Sequence, residues 1–225
     1  MPSLSAAALL REVGLRGDSN KLGRARLRET ACNLIAQEKL LAPAFSFRVV
    51  DLDMPAAEIL GVGGERFYAP RLLPASGTLT ALACGVATIG PRLEQRVGLL
   101  FMERRISLAL ALDELGNELL FAAVRGLQDR ILVGTRKRGL AVAGELRPGD
   151  PGLALAAQGT VLRLAQAETI GVTMTLGKVL HPLKSSSFVL GVGVDLPPAG
   201  WSRCDDCRSR PTCKLAAHGT EMAAN

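Results

Sequence analysis

The chain alternates between helical and extended hydrophobic patterns without a fixed rhythm. Ser5–Val13 is short and apolar and predicts a helix that ends at Gly14. Across Leu22–Leu40, Leu27, Ala31, Leu34 and Ile35 recur at helical spacing while Arg24, Arg28, Gln37 and Glu38 take the opposite face, with Pro43 as the stop. Ala44–Leu52 then changes period: Phe45, Phe47, Val49 and Val50 alternate with small or polar residues, as in a strand. Glu58–Val62 and Arg66–Tyr68 are short extended pieces around the turn signal Gly63-Gly64. Thr78–Ile89 is an apolar, Thr-containing run fit for a buried strand that closes at Gly90-Pro91.

Arg92–Leu132 has the longest helical pattern and divides near Met102–Arg105; beyond that break Leu108, Leu112, Leu115, Leu119 and Val124 hold the helical period. Leu140–Leu146 reads as a strand, Arg147–Gly152 as a Pro/Gly loop, Leu153–Ala167 as a helix, and Ile170–Leu176 and Ser187–Val194 as strands. The part from Pro197 onward is a tail rich in Pro, Cys and charge. Strands mixed irregularly with helices predict an α+β fold with a central antiparallel sheet and packed helices. The expected organisation is one domain over residues 1–196 and a Cys-rich tail over 197–225.

Composition supports a packed protein, with 48% hydrophobic and 21% charged residues. Aromatics make up only 4%, too few for base-stacking platforms, and no groove-reading motif accompanies the net charge of +6, so no nucleic-acid partner is expected. The basic clusters Lys21–Arg28, Arg136–Arg138 and Arg203–Lys214 fit ordinary solvated surface, or a surface that steers an anionic partner. No apolar stretch approaches the roughly 20 residues of a membrane span, and the start lacks a secretory pattern. A cytoplasmic location without membrane contact is expected.

Four segments, in order, resemble the activation domain of cobalamin-dependent methionine synthase and its free-standing relatives. Ala81-Leu-Ala-Cys-Gly-Val-Ala-Thr-Ile-Gly90 looks like the family's strand and its closing turn. Leu110-Ala-Leu-Asp-Glu-Leu-Gly-Asn-Glu118 looks like the helix following that turn. Glu145-Leu-Arg-Pro-Gly-Asp-Pro-Gly152 stands where the family has its S-adenosylmethionine loop. Ile170-Gly-Val-Thr-Met-Thr and Leu180-His-Pro-Leu-Lys-Ser-Ser-Ser187 are similar to its following strand and turn. The resemblance covers roughly Ala6 to Val194. It implies binding of S-adenosylmethionine, with Arg147, Gly149, Asp113, Ser185 and Ser187 as candidate contacts. It also implies a role as an accessory protein or split subunit: a methyltransferase activation component that supports reductive reactivation of methionine synthase or a related corrinoid methyltransferase.

Chemistry supports part of this. A carboxylate suits the two parallel donors of a guanidinium, here Arg147, and the glycines beside it permit close backbone approach. Asp113 offers a carboxylate for the ligand's ammonium. The same loop also serves as a plain turn, Asp113 as a solvated helix residue, and the serines as turn caps. Gly149 is followed by Asp150 where the family has Tyr, which removes an aromatic flank. No cobalamin-binding Asp-x-His-x-x-Gly segment is present, so the corrinoid would come in trans on a partner chain.

Cys204-Asp-Asp-Cys207 and Cys213, with His218 beyond, have spacing compatible with metal ligands. An iron–sulfur cluster, a zinc site and a tail of reduced thiols all fit. A cluster would give the chain an electron route, in contact with an electron donor. The competing reading of the whole chain is a non-catalytic metal- or iron–sulfur-binding protein that kept the fold and lost the cofactor site.

Overall fold

A computed structural model describes residues 5–14 and 22–197. The helices are α1 (Ala6–Gly14), α2 (Leu22–Gln37), α3 (Arg92–Met102), α4 (Ile106–Arg136) and α5 (Gln158–Leu164). The strands are β1 (Ala44–Asp51), β2 (Ile59–Val62), β3 (Glu65–Tyr68), β4 (Thr78–Thr88), β5 (Ala141–Leu146), β6 (Thr173–Met174), β7 (Leu180–His181) and β8 (Ser185–Val194).

β1, β4, β8 and β5 form, in that order, a four-stranded sheet. Its hydrogen bonds run antiparallel. The Ala42 N–H donates to Ile89 O and the Leu52 N–H to Thr80 O, so rising numbers on β1 meet falling numbers on β4. The Ile89 N–H donates to Lys184 O while Thr80 Oγ1 donates to Val192 O, which sets β8 against β4 in the same sense. β5 pairs antiparallel with β8 from Ala141↔Gly193 to Leu146↔Val189, with a bulge between Ala143 and Glu145. Gly144 takes φ +71 there, a conformation that costs glycine little. The fold is α+β, an antiparallel sheet with packed helices, as the irregular mixture of periods predicts.

Among the described residues the chain forms two compact units, one within Met1–Ser46, Val86–Arg130 and Ala167–Ser186, the other within Phe47–Gly85, Ile131–Gln166 and Ser187–Asn225. The first is largely helical. Its buried positions follow the helical period: Leu93, Val97 and Leu100 on α3, and Leu108, Leu112, Leu115 and Leu119 on α4. Charged pairs connect its helices, Arg28 to Glu118 and Arg125 to Glu12, and Arg96 of α3 pairs with Glu38 just past the end of α2. The guanidinium of Arg130 lies 4.6 Å from the ring centre of Phe45. The second unit holds most of the sheet, the β2–β3 hairpin and α5. Asp53 closes the hairpin turn by accepting the N–H groups of Gly63 and Gly64.

Two expected elements are shorter than their patterns. Leu153–Ala167 contains a 3₁₀ turn, Leu155–Ala157, before α5, which ends at Leu164. Ile170–Leu176 reduces to a 3₁₀ turn, Ala167–Ile170, and the two-residue β6. Positive φ at Gln166 and Gly171 bounds these pieces, a backbone feature that a count of apolar residues does not register. The break between α3 and α4 falls where the pattern divides, with Arg104 at φ +59.

Candidate functional site

The Arg147 loop belongs to the second unit. β5 delivers it from Leu146, which is fully buried. The Asp150 N–H donates to Arg147 O and Asp150 Oδ2 accepts the Arg147 N–H at 2.9 Å. The Leu153 N–H donates to Asp150 O, and the Gly149 N–H to Leu153 O. Asp150 therefore fastens this loop through its own backbone and carboxylate. Gly149 and Gly152 sit at φ +98 and +92, the left-handed side where a Cβ is unfavourable. A Cβ on Gly152 would also meet the Arg71 side chain at 3.1 Å, so the stem of Arg71 runs along this loop. The Arg147 Nε donates to Glu145 Oε1 at 3.0 Å, and both side chains are mostly buried. Ser187, at the beginning of β8, accepts a 2.8 Å hydrogen bond from Gln158 Nε2 at the first residue of α5, and both are buried. Arg147, Gly149 and Ser187 thus belong to one unit.

Asp113 and Ser185 belong to the other. Ser185 Oγ donates to Thr88 Oγ1, which donates to Lys184 O and accepts the Gly90 N–H. The Ala-Thr-Ile-Gly turn and the Pro-Leu-Lys-Ser turn are thereby joined. Glu94, in the first turn of α3, accepts the N–H groups of Leu183 and Lys184. Lys184 is 8% exposed, and its Nζ bonds Asp113 Oδ1 and Asn117 Oδ1 at 2.7 Å each. A buried ammonium needs such partners. Three of the segments that carry the sequence resemblance meet through Thr88–Ser185 and Asp113–Lys184. One correction concerns order: the helix directly after Gly90 is α3, and Leu110–Glu118 lies on α4.

Sequence reasoning passed over Lys184, Asn117, Thr88, Gln158 and Arg71. Lys184 and Thr88 stand inside the quoted segments, but nothing in their spacing reveals a partner about 70 or 96 positions away.

Cys204, Cys207 and Cys213 lie outside the described residues, as does His218. Among the described residues no group of three His, Cys, Asp or Glu side chains could hold a metal. Cys84 is fully buried in β4, and desolvation pushes its thiol up to about 12, so it is neutral at physiological pH. Cys32 is half-buried; desolvation raises its thiol above the usual range, against the opposing pull of Arg28. No helix among the described residues is long and apolar enough to cross a membrane.

No family model matches the chain. No curated protein matches it either. Solved structures do match. One is the crystal structure of the MetH reactivation domain bound to AdoHcy, with a TM-score of 0.60 over 94% of this chain and 79% of that one, at 11% sequence identity. The chain is similar in fold to the MetH reactivation domain over nearly its whole length.

Proposed function

We propose that this protein binds S-adenosylmethionine and presents its methyl group to a corrinoid held on another chain, as an accessory protein or split subunit in the reductive reactivation of methionine synthase or a related methyltransferase. The observation that carries the reading is the shared fold with a reactivation domain bound to AdoHcy, the form of the same cofactor that lacks the transferable methyl. The Arg147 loop supports it: a mostly buried guanidinium beside two left-handed glycines suits a ligand carboxylate. S-adenosylmethionine would supply an electrophilic methyl group. Arg147 would hold the carboxylate, Gly149 would allow backbone approach, and the hydrogen-bonded positions of Ser185 and Ser187 would keep the neighbouring chain in place. Residues 1–196 would form this binding domain. The partner is a corrinoid-binding methyltransferase protein, and an electron donor is needed for the reductive step.

Equilibrium binding of S-adenosylmethionine and S-adenosylhomocysteine to the whole protein tests the proposal. Saturable 1:1 binding is expected, weakened in Arg147→Ala. No binding of either compound at millimolar concentration would sink it.

A second reading has its own support. Arg147 already pairs with the Glu145 carboxylate, and Asp113 with the Lys184 ammonium. Both charges required by the amino-acid end of the ligand are engaged within the chain. On this reading the fold is kept without the cofactor, and Cys204, Cys207 and Cys213 hold zinc or an iron–sulfur cluster. Oxygen-free purification with elemental analysis decides: zinc or iron with sulfide, absent any cofactor binding, favours it.

A further inference from the structure

The two left-handed glycines of the Arg147 loop have different surroundings. A Cβ on Gly152 would run into the Arg71 stem at 3.1, 3.2 and 3.4 Å, so the chain itself closes that side of the loop. A Cβ on Gly149 would come within 4 Å of one atom among the described residues, its chain neighbours apart: Leu155 Cδ1, at 3.8 Å. Gly149 is exposed, and Leu155 is 48% exposed. Local structure fixes the leucine there. The Gly149 N–H donates to Leu153 O, and the Ala157 N–H donates to Ala154 O across the 3₁₀ turn. The Gln158 N–H donates to Leu155 O, while the buried Gln158 side chain donates to Ser187. Leu153, Ala157 and Gln158 take the buried side of this stretch, and Ala154, Leu155 and Ala156 are left exposed.

We infer that Leu155 is a binding residue for the adenosyl end of the ligand whose carboxylate Arg147 takes; the inference rests on the cofactor-binding reading above and adds to it the residue that meets the nucleoside. Charge is graded along the loop. Arg147 and Glu145 are mostly buried, and the Asp150 carboxylate is turned to the Arg147 N–H. The exposed remainder, Gly149, Pro151, Ala154, Leu155 and Ala156, bears no charge. An S-adenosyl compound is graded in the same way. Its amino-acid end carries a carboxylate and an ammonium, which lose water against an aliphatic side chain and gain no partner there. Its adenine is a large uncharged face, and covering that face with a leucine removes apolar area from water on both sides. Ligand sites combine such an apolar wall with a few fixed polar groups. A single exposed leucine is ordinary on a protein surface. At Leu155, however, the exposure coincides with a backbone held by hydrogen bonds and with the open side of Gly149.

Two measurements on the whole protein test this. Calorimetric titration with S-adenosylhomocysteine should show binding about ten-fold weaker in Leu155→Ser and close to wild type in Leu155→Met. It should be unchanged in Leu176→Ser, a control at a leucine that is 104% exposed and lies in the other unit. NMR of isotope-labelled leucine methyl groups reads the contact in the wild type itself, the Leu155 resonances being those missing from Leu155→Met. S-adenosylhomocysteine should move them upfield, as the ring current above an adenine face does. Wild-type binding with equal affinity in Leu155→Ser, or with Leu155 methyl resonances that stay in place, would overturn the inference and leave the cofactor-binding reading intact. A wild type that binds neither S-adenosylmethionine nor S-adenosylhomocysteine would overturn both.

Discussion

The Nζ of Lys184 lies 2.7 Å from Asp113 Oδ1 and 2.7 Å from Asn117 Oδ1. This contact ties the turn before β8 to the middle of α4, and it makes Asp113 the partner of a buried cation. Asp113→Ala leaves the ammonium with Asn117 and the Asp113 carbonyl. The expected loss is about 1–3 kcal/mol, held below the cost of breaking a fully buried pair because Asp113 is 43% exposed. Denaturant unfolding of Asp113→Ala, Lys184→Met and the double variant measures it. The double variant should be more stable than the sum of the single losses predicts; strict additivity would mean that the pair contributes nothing. Loss of S-adenosylmethionine binding without loss of stability would instead assign Asp113 to the ligand.

Arg147 and Glu145 allow a test of the cofactor reading in both directions. Arg147→Ala removes a charge-assisted contact worth roughly 1.5–3 kcal/mol, a loss of about one to two decades in affinity. Glu145→Gln removes the carboxylate that now takes the Arg147 Nε–H, so S-adenosylmethionine should bind several-fold more tightly. Calorimetric titration of both variants checks the pair of signs. Equal affinity in wild type and both variants would place any binding site away from this loop.

The fold was legible because its two periods are clean. Leu108, Leu112, Leu115 and Leu119 mark one helix side, and the run from Thr78 to Ile89 marks a buried strand. The α3–α4 break was legible because the apolar spacing divides around Met102–Arg105. The limits of α5 and β6 were not, since Gln166 and Gly171 turn the chain with backbone angles that the spacing of apolar residues does not register. For the candidate site, Arg147 and Gly149 stand out by residue type. The commitments of Asp113 to Lys184 and of Arg147 to Glu145 do not: one links residues 71 positions apart, and the other depends on the bulge at Gly144.

Gly85 faces the ring of Phe188 across neighbouring strands. A Cβ at Gly85 would meet Phe188 Cζ at 2.5 Å and Cε2 at 2.9 Å, and Phe188 is fully buried. The ring cannot swing into solvent, so Gly85→Ala forces displacement of the ring or of the strands. A destabilisation of about 1–3 kcal/mol is expected in denaturant unfolding. Phe188→Leu shortens the side chain and should recover part of the loss when combined with Gly85→Ala. A Gly85→Ala protein as stable as wild type would show that the strands separate freely, against the close packing seen here.

Asp129 gives a pH-dependent test with a definite sign. Desolvation raises its carboxyl pKa above the usual value; Arg125 opposes the shift and Glu12 adds to it. A raised native-state pKa means that the ionised carboxylate is disfavoured in the folded protein. The favourable contribution is complete below the unfolded-state value of about 3.9 and is lost as pH rises through the folded one. At neutral pH the charge is therefore a cost, and Asp129→Asn removes it. The variant should melt at a higher temperature than wild type at pH 7. The advantage should shrink as pH falls and vanish once the aspartate itself is protonated. Melting curves of the two proteins between about pH 3.5 and pH 7 measure the difference directly. A variant less stable than wild type at pH 7 would mean that attraction to Arg125, itself 3.2 Å from Glu12, outweighs desolvation at this position.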